Sequence, residues 1–154
     1  MTRTELAGRL FPNILLLDLD GTPRPIIEAA GSCVVCVGHS DCGTTRLVLP
    51  CLERIHARRG LGTAVILILQ DTPTAARELV SGQVPVLLEP DPYPLSRELG
   101  LTTVPTLILV SPAGVVESLS EGFQRAAIED LALRLGAPAP FFTPGDKAPA
   151  LRPG

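Results

Sequence analysis

Cys42 stands in the run Gly38-His39-Ser40-Asp41-Cys42-Gly43-Thr44-Thr45, directly after the apolar stretch Cys33-Val34-Val35-Cys36-Val37. A helix-compatible stretch, 44–59, follows it. A thiol at a strand-to-helix junction lies close to unpaired helix N–H groups and to the positive end of the helix dipole. Both favour the thiolate, which is the nucleophile in attack on a disulfide. Thr45 follows the cysteine by three residues, a spacing that brings its hydroxyl near the sulfur on a first helical turn. A hydrogen bond donated from there would stabilise the thiolate. His39 precedes the cysteine by three residues. As an imidazolium it would offset the Asp41 carboxylate, and as a neutral ring it could take up a proton. Asp41 itself opposes thiolate formation, because like charges disfavour one another. The set Cys42, Thr45 and His39 is thus the candidate catalytic group.

The other three cysteines read as small buried hydrophobes. Cys33, Cys36, His39 and Cys42 recur every three residues, which suggests zinc. In a strand, however, residues three apart point to opposite faces, and four ligands on one extended run cannot close a tetrahedron. No metal site and no cofactor is expected. Cys51 lies nine residues along the helix from Cys42, about 13 Å at 1.5 Å per residue, too far for a disulfide. Cys36 is the one internal thiol that could resolve a mixed disulfide, if it points beneath the helix start. Asp18-Leu19-Asp20-Gly21-Thr22 looks like a phosphatase opening, but the sole lysine is Lys147. The Asp-Gly pair is better read as a turn.

The positioning elements follow from periodicity and breakers. Segments 14–21, 32–37, 63–69, 84–88, 106–110 and 115–119 read as strands, the second a continuous β-branched and cysteine run typical of a strand buried on both faces. Segment 44–59 carries the apolar stripe Leu47, Val48, Cys51, Leu52 and Ile55, with Pro50 inside it and a kink expected there. Thr72 caps a helix opened by Pro73 and running to about Ser81. Residues 92–100 read as a turn with one or two helical turns, and 123–135 as an amphipathic helix. Helices interleaved with buried strands, then a hairpin, give an α/β sheet with two or three helices on one face and one or two on the other.

With 154 residues, one domain is expected. Aromatics make up 3% of the chain, so the core is aliphatic. A net charge of −3 gives no electrostatic draw toward nucleic acid or an anionic membrane. No apolar run is long enough to span a bilayer, and the start lacks the apolar stretch of a signal peptide. A cytoplasmic location and free thiols are the resulting expectations. From Gly136 the composition shifts: five prolines fall between 138 and 153. The division expected is a domain over 1–136 and an extended, weakly ordered tail over 137–154.

The order and spacing of several of these features resemble the thioredoxin-like superfamily, in its small disulfide-reductase and alkyl-hydroperoxide-reductase/thiol-antioxidant branch. Phe11-Pro12-Asn13-Ile14 through Leu19-Asp20-Gly21 looks like the opening strand and turn. Cys42-Gly43-Thr44-Thr45 stands where the family has CxxC. Pro50 matches the proline of the active-site helix, and Thr103-Val104-Pro105-Thr106 the cis-proline segment. Gly114 and Glu121-Gly122 fall at the hairpin turn and before the last helix. The resemblance implies a thioredoxin-like α/β fold, a central mixed sheet with helices on both faces. It also implies a substrate side formed by Asp41, Gly43, Val104 and Pro105, where the backbone of Val104 pairs with an extended peptide.

The chain departs from that family in ways that bear on chemistry. Thr45 replaces the second cysteine, so the usual intramolecular release of a mixed disulfide is lost. Asp41 replaces an aromatic and Cys36 a buried acid. Val35 and His39 stand where the peroxidase pattern needs Pro and Thr. The function expected is a single-cysteine thiol–disulfide oxidoreductase with protein or small-molecule thiols and disulfides as partners. One alternative is an inactive peptide-binding module on the same fold. Another is an iron–sulfur carrier of the monothiol-glutaredoxin kind, although basic residues to hold glutathione carboxylates are lacking beside the motif.

Overall fold

The computed structural model describes residues 6–80 and 82–154. The first five residues and the expected helix end at Ser81 lie outside that set. Strands β1 (Leu15–Asp18), β2 (Pro23–Pro25), β3 (Cys33–Gly38), β4 (Ala64–Leu69), β5 (Val86–Leu88), β6 (Thr106–Val110) and β7 (Val116–Glu121) form one mixed sheet, in the order β2-β1-β5-β4-β3-β6-β7. β3, β4 and β5 run parallel, whereas β6 and β1 are antiparallel to their neighbours. Helix α1 (Gly43–Arg58) links β3 to β4, α2 (Pro73–Leu79) links β4 to β5, α3 (Pro94–Leu99) precedes β6, and α4 (Arg125–Arg134) follows β7.

The core has two layers because β3 lies at the centre and is buried along its whole length. Its side chains alternate between faces, as a pleated strand requires. Val34 and Cys36 join Val48, Leu52 and Ile55 of α1, Ala76 of α2, and Ile128 and Leu131 of α4. Cys33, Val35 and Val37 join Leu95 and Leu99 of α3 on the opposite face. Three helices therefore cover one face and one covers the other. Cys33 and Cys36 sit in different layers, which separates two of the thiols that the sequence spaces like ligands.

Local signals act as expected at several places. The Thr72 hydroxyl accepts the Ala75 N–H at 3.2 Å, with Pro73 at the first helical position. Pro50, where a kink is expected, lies inside α1 without ending it, and the helix continues to Arg58. The turn after β1 is held by Asp18, whose carboxylate accepts the N–H groups of Asp20 and Thr22, each at 2.9 Å. Asp18 also pairs with Arg24 at 2.8 Å, and that closure brings Pro23–Pro25 back as an antiparallel edge strand the periodicity does not announce.

Two expectations are corrected. The last helix begins at Arg125, because Phe123–Gln124 is a short strand, β8, paired antiparallel with β9 (Leu151–Arg152). The segment 137–154, which its prolines mark as a weakly ordered tail, instead folds back on the domain. Phe141 is 5% exposed in the layer beneath α1 and meets the Phe142 ring edge-on at 5.0 Å. Arg54 on α1 donates to the Phe141 carbonyl at 2.8 Å and grips both oxygens of Asp146, at 2.8 and 3.0 Å. A two-pronged guanidinium–carboxylate contact and two rings outweigh the extended preference of the prolines.

Candidate functional site

The site begins where β3 ends. Gly38 closes the strand, the turn 39–41 follows, and Cys42 occupies the N-cap of α1 with extended backbone. Nothing caps that helix end through a side chain, so the first N–H groups of α1 remain available to the sulfur. Thr45 is fully buried, wedged against the strand end. A Cβ on Gly38 would lie 2.7 Å from its Cγ2, so only glycine leaves room for that seat. The His39 N–H donates to the Thr45 hydroxyl oxygen at 3.3 Å, leaving the hydroxyl proton free to turn toward Cys42.

The Cys42 thiol lies below the ordinary thiol range. Burial pushes it up, but the N–H and hydroxyl of Thr45, and then those of Thr44, pull it down by more. The Thr44 hydroxyl donates to the Pro153 carbonyl at 2.7 Å, so Thr44 acts on the sulfur mainly through its N–H. In its protonated form the thiol donates to the Val104 carbonyl at 3.4 Å. The Val104–Pro105 bond is cis. Cys42 and Val104 thus meet although 62 residues separate them. The remaining cysteines are chemically muted. Burial pushes the thiols of Cys33 and Cys36 up to about 12 and that of Cys51 up to about 11. All four cysteines are free thiols. Cys36 lies fully buried in the layer under α1, a setting in which it is a poor nucleophile.

His39 is half-buried, with its ring nitrogens turned to two acids. Its Nδ1 accepts the Asp41 N–H at 3.0 Å, and its Nε2 lies 3.8 Å from Asp71. Asp41 itself points to solvent, its side chain 91% exposed, so its charge near the sulfur is screened. Gly43 is exposed at the first helical position. Among the described residues no group of three His, Cys, Asp or Glu is arranged to hold a metal.

One contributor is missing from the sequence reading: Asp71. Its side chain is 2% exposed and accepts both the N–H and the hydroxyl of Ser40, fixing the turn that presents Cys42. The available signal was positional. Asp71 follows the C-terminal end of β4, and functional groups of open α/β sheets gather at the carboxyl ends of adjacent parallel strands. Beside Val104 opens a cavity of about 380 Å³, lined by Gln70, Tyr93, Arg97 and Thr103. Gln70 bridges it to Glu89, a fully buried carboxylate that accepts from Gln70 and from the N–H and hydroxyl of Ser96.

No family model and no curated protein matches the chain. Solved structures do. A Chlorobium tepidum protein proposed to be the thiol:disulfide interchange protein DsbE superposes with a TM-score of 0.74 at 21% identity, over 83% of this chain and 94% of that one. The exposed lipoprotein thioredoxin Etrx1 of Streptococcus pneumoniae gives 0.68 at 19% identity, over 79% and 98%. A secreted Mycobacterium tuberculosis disulfide oxidoreductase gives 0.66 at 15%, over 82% and 96%. The mixed seven-stranded sheet, the helices on its two faces and these superpositions agree on one architecture, and the chain has a thioredoxin-like fold.

Proposed function

We propose that the chain is a thiol–disulfide exchange protein that works through Cys42 alone. The observation that carries this reading is the contrast among its four thiols. Cys42 is partly exposed at a helix N-terminus and held below the ordinary range, while the other three are buried and pushed far above it. The fold shared with several disulfide oxidoreductases supports the same reading. In the reaction, the Cys42 thiolate attacks one sulfur of a substrate disulfide. A new S–S bond forms, the old one breaks, and the second substrate sulfur leaves as a thiolate. An external thiol, glutathione or a partner protein's cysteine, then attacks the mixed disulfide and returns Cys42 to its reduced form. Thr45 and the helix N–H groups hold the negative charge before attack. Val104, Pro105 and Gly43 line the side on which an extended substrate lies, with Asp41 at its solvent edge.

A second reading, a peptide-binding module without turnover, is favoured by Thr45 at the place where a second cysteine would release the product. The two readings separate on one experiment, the alkylation of each cysteine by iodoacetamide across pH 4 to 10, followed by peptide mass spectrometry. The exchange reading expects a Cys42 midpoint below the ordinary thiol value of about 8.5, moved upward in Thr45→Val. A Cys42 that titrates as a free thiol, or that Thr45→Val leaves unmoved, sinks it in favour of the binding module.

A further inference from the structure

The groove beside Cys42 is already occupied. After Ala150, whose carbonyl accepts the Arg125 N–H at 3.0 Å, the chain pairs with β8 and then crosses the mouth of the site. Contacts of three successive residues define its path. The Pro153 carbonyl takes the Thr44 hydroxyl at 2.7 Å. The Arg152 guanidinium lies over Gly43, with Nη2 2.8 Å from the place a Cβ would take, and the Arg152 carbonyl lies 2.6 Å from the corresponding point on Gly122. Gly154 then rests on Val104, so tightly that a Cβ there would overlap the Val104 carbonyl and come within 2.7 Å of Thr103 Cγ2. The carbonyl it covers is the one the Cys42 thiol donates to. Gly122 on the wall and Gly154 on the visitor let backbone approach backbone, and Gly43 leaves room for the Arg152 guanidinium.

We propose that residues 151–154 form an intramolecular strap seated in the substrate groove, and that Cys42 meets an extended peptide only when the strap lifts. The inference deepens the exchange reading and rests on it for the identity of the groove. It also names the chemistry the groove accepts. The fitting partner is an extended peptide with a basic side chain over Gly43, a carbonyl facing the Thr44 hydroxyl, and a residue without a side chain against Val104. A seated strap leaves the small sulfur reachable from one side while covering the approach of anything larger.

The test compares two reagents on Cys42 in three proteins: the parent chain, Gly154→Leu, and a chain ending at Pro149. Both altered proteins keep Phe141, Arg54 and Asp146, and circular dichroism checks that each is folded. The reagents are iodoacetamide, which is small, and a biotin–polyethylene-glycol maleimide, which is bulky. If the strap is seated about nine-tenths of the time, one molecule in ten is open, and unseating it raises the bulky-to-small rate ratio about tenfold. The peptide Ala-Leu-Arg-Pro-Gly, added to the shortened chain, should lower that ratio again. The same ratio in all three proteins, or a shortened chain indifferent to the peptide, overturns the strap. If one variant does not fold, the other decides. Failure of the exchange reading shows separately, in the pH midpoint of the iodoacetamide reaction in the shortened chain.

Discussion

Phe141→Ala asks whether the proline-rich segment belongs to the domain. The ring is 5% exposed, packs edge-on against Phe142 at 5.0 Å, and carries the Arg54 guanidinium 5.2 Å above its centroid. An aromatic side chain buries roughly 150–250 Å², which at about 25 cal/mol per Å² is some 4–6 kcal/mol of transfer free energy. Residual compactness of the unfolded chain removes roughly 10–40% of that. Alanine retains part of the remainder through its own methyl group. The segment can also partly collapse onto the gap, so the loss falls near the low end of the usual Phe→Ala range, about 3 kcal/mol. For a chain of this size that lowers Tm by about 6–12 °C. Thermal unfolding followed at 222 nm reads it, with Leu133→Ala as control. Leu133 is 57% exposed, and its truncation should stay within about 0.5 kcal/mol. A Phe141→Ala shift no larger than that of the control would refute the docking of 137–154, and with it the anchoring on which the strap depends.

Asp146 gives a prediction in pH. The Arg54 guanidinium holds its carboxyl well below the usual carboxylate range, so its contribution is present above the unfolded value of about 3.9 and drains away as pH falls through the folded one. The Tm gap between the parent and Asp146→Asn should be widest near neutrality and narrow steadily below about pH 4; a gap that does not change with pH contradicts the pairing. Cys36, buried with its thiol pushed up to about 12, should take no part in turnover. Treated with oxidised glutathione, Cys36→Ala should accumulate the same fraction of Cys42 mixed disulfide as the parent, and severalfold more in the variant would make Cys36 the resolving thiol.

What the sequence discloses and what it hides divide along contact distance. Cys42 is legible because strand, turn, thiol and helix start are contiguous, and local chemistry decides each. β3 is legible because a continuous run of valines and cysteines suits a strand buried on both faces. Thr72 and Pro73 announce a helix for the same local reason. Asp71 is hidden because its task, holding Ser40, joins residues 31 apart in sequence. The tail misleads more thoroughly. Composition describes what prolines do to an isolated chain, whereas the fate of 137–154 is decided by Arg54, 92 residues from Asp146, and by β8, which has no signature until β9 pairs with it. Pro153 and Gly154 read as tail residues, and only their contacts with Thr44 and Val104 bring them beside Cys42.

Tyr93 lines the cavity beside Val104, in a left-handed backbone conformation just before α3, and it is the chain's single tyrosine; there is no tryptophan. With excitation beyond the phenylalanine absorption band, the ultraviolet emission therefore originates at one point, on the rim of the cleft. A peptide free of aromatic residues that settles there alters the signal directly, with no label attached. The protein carries its own reporter, placed where occupancy or opening of the cleft changes its surroundings.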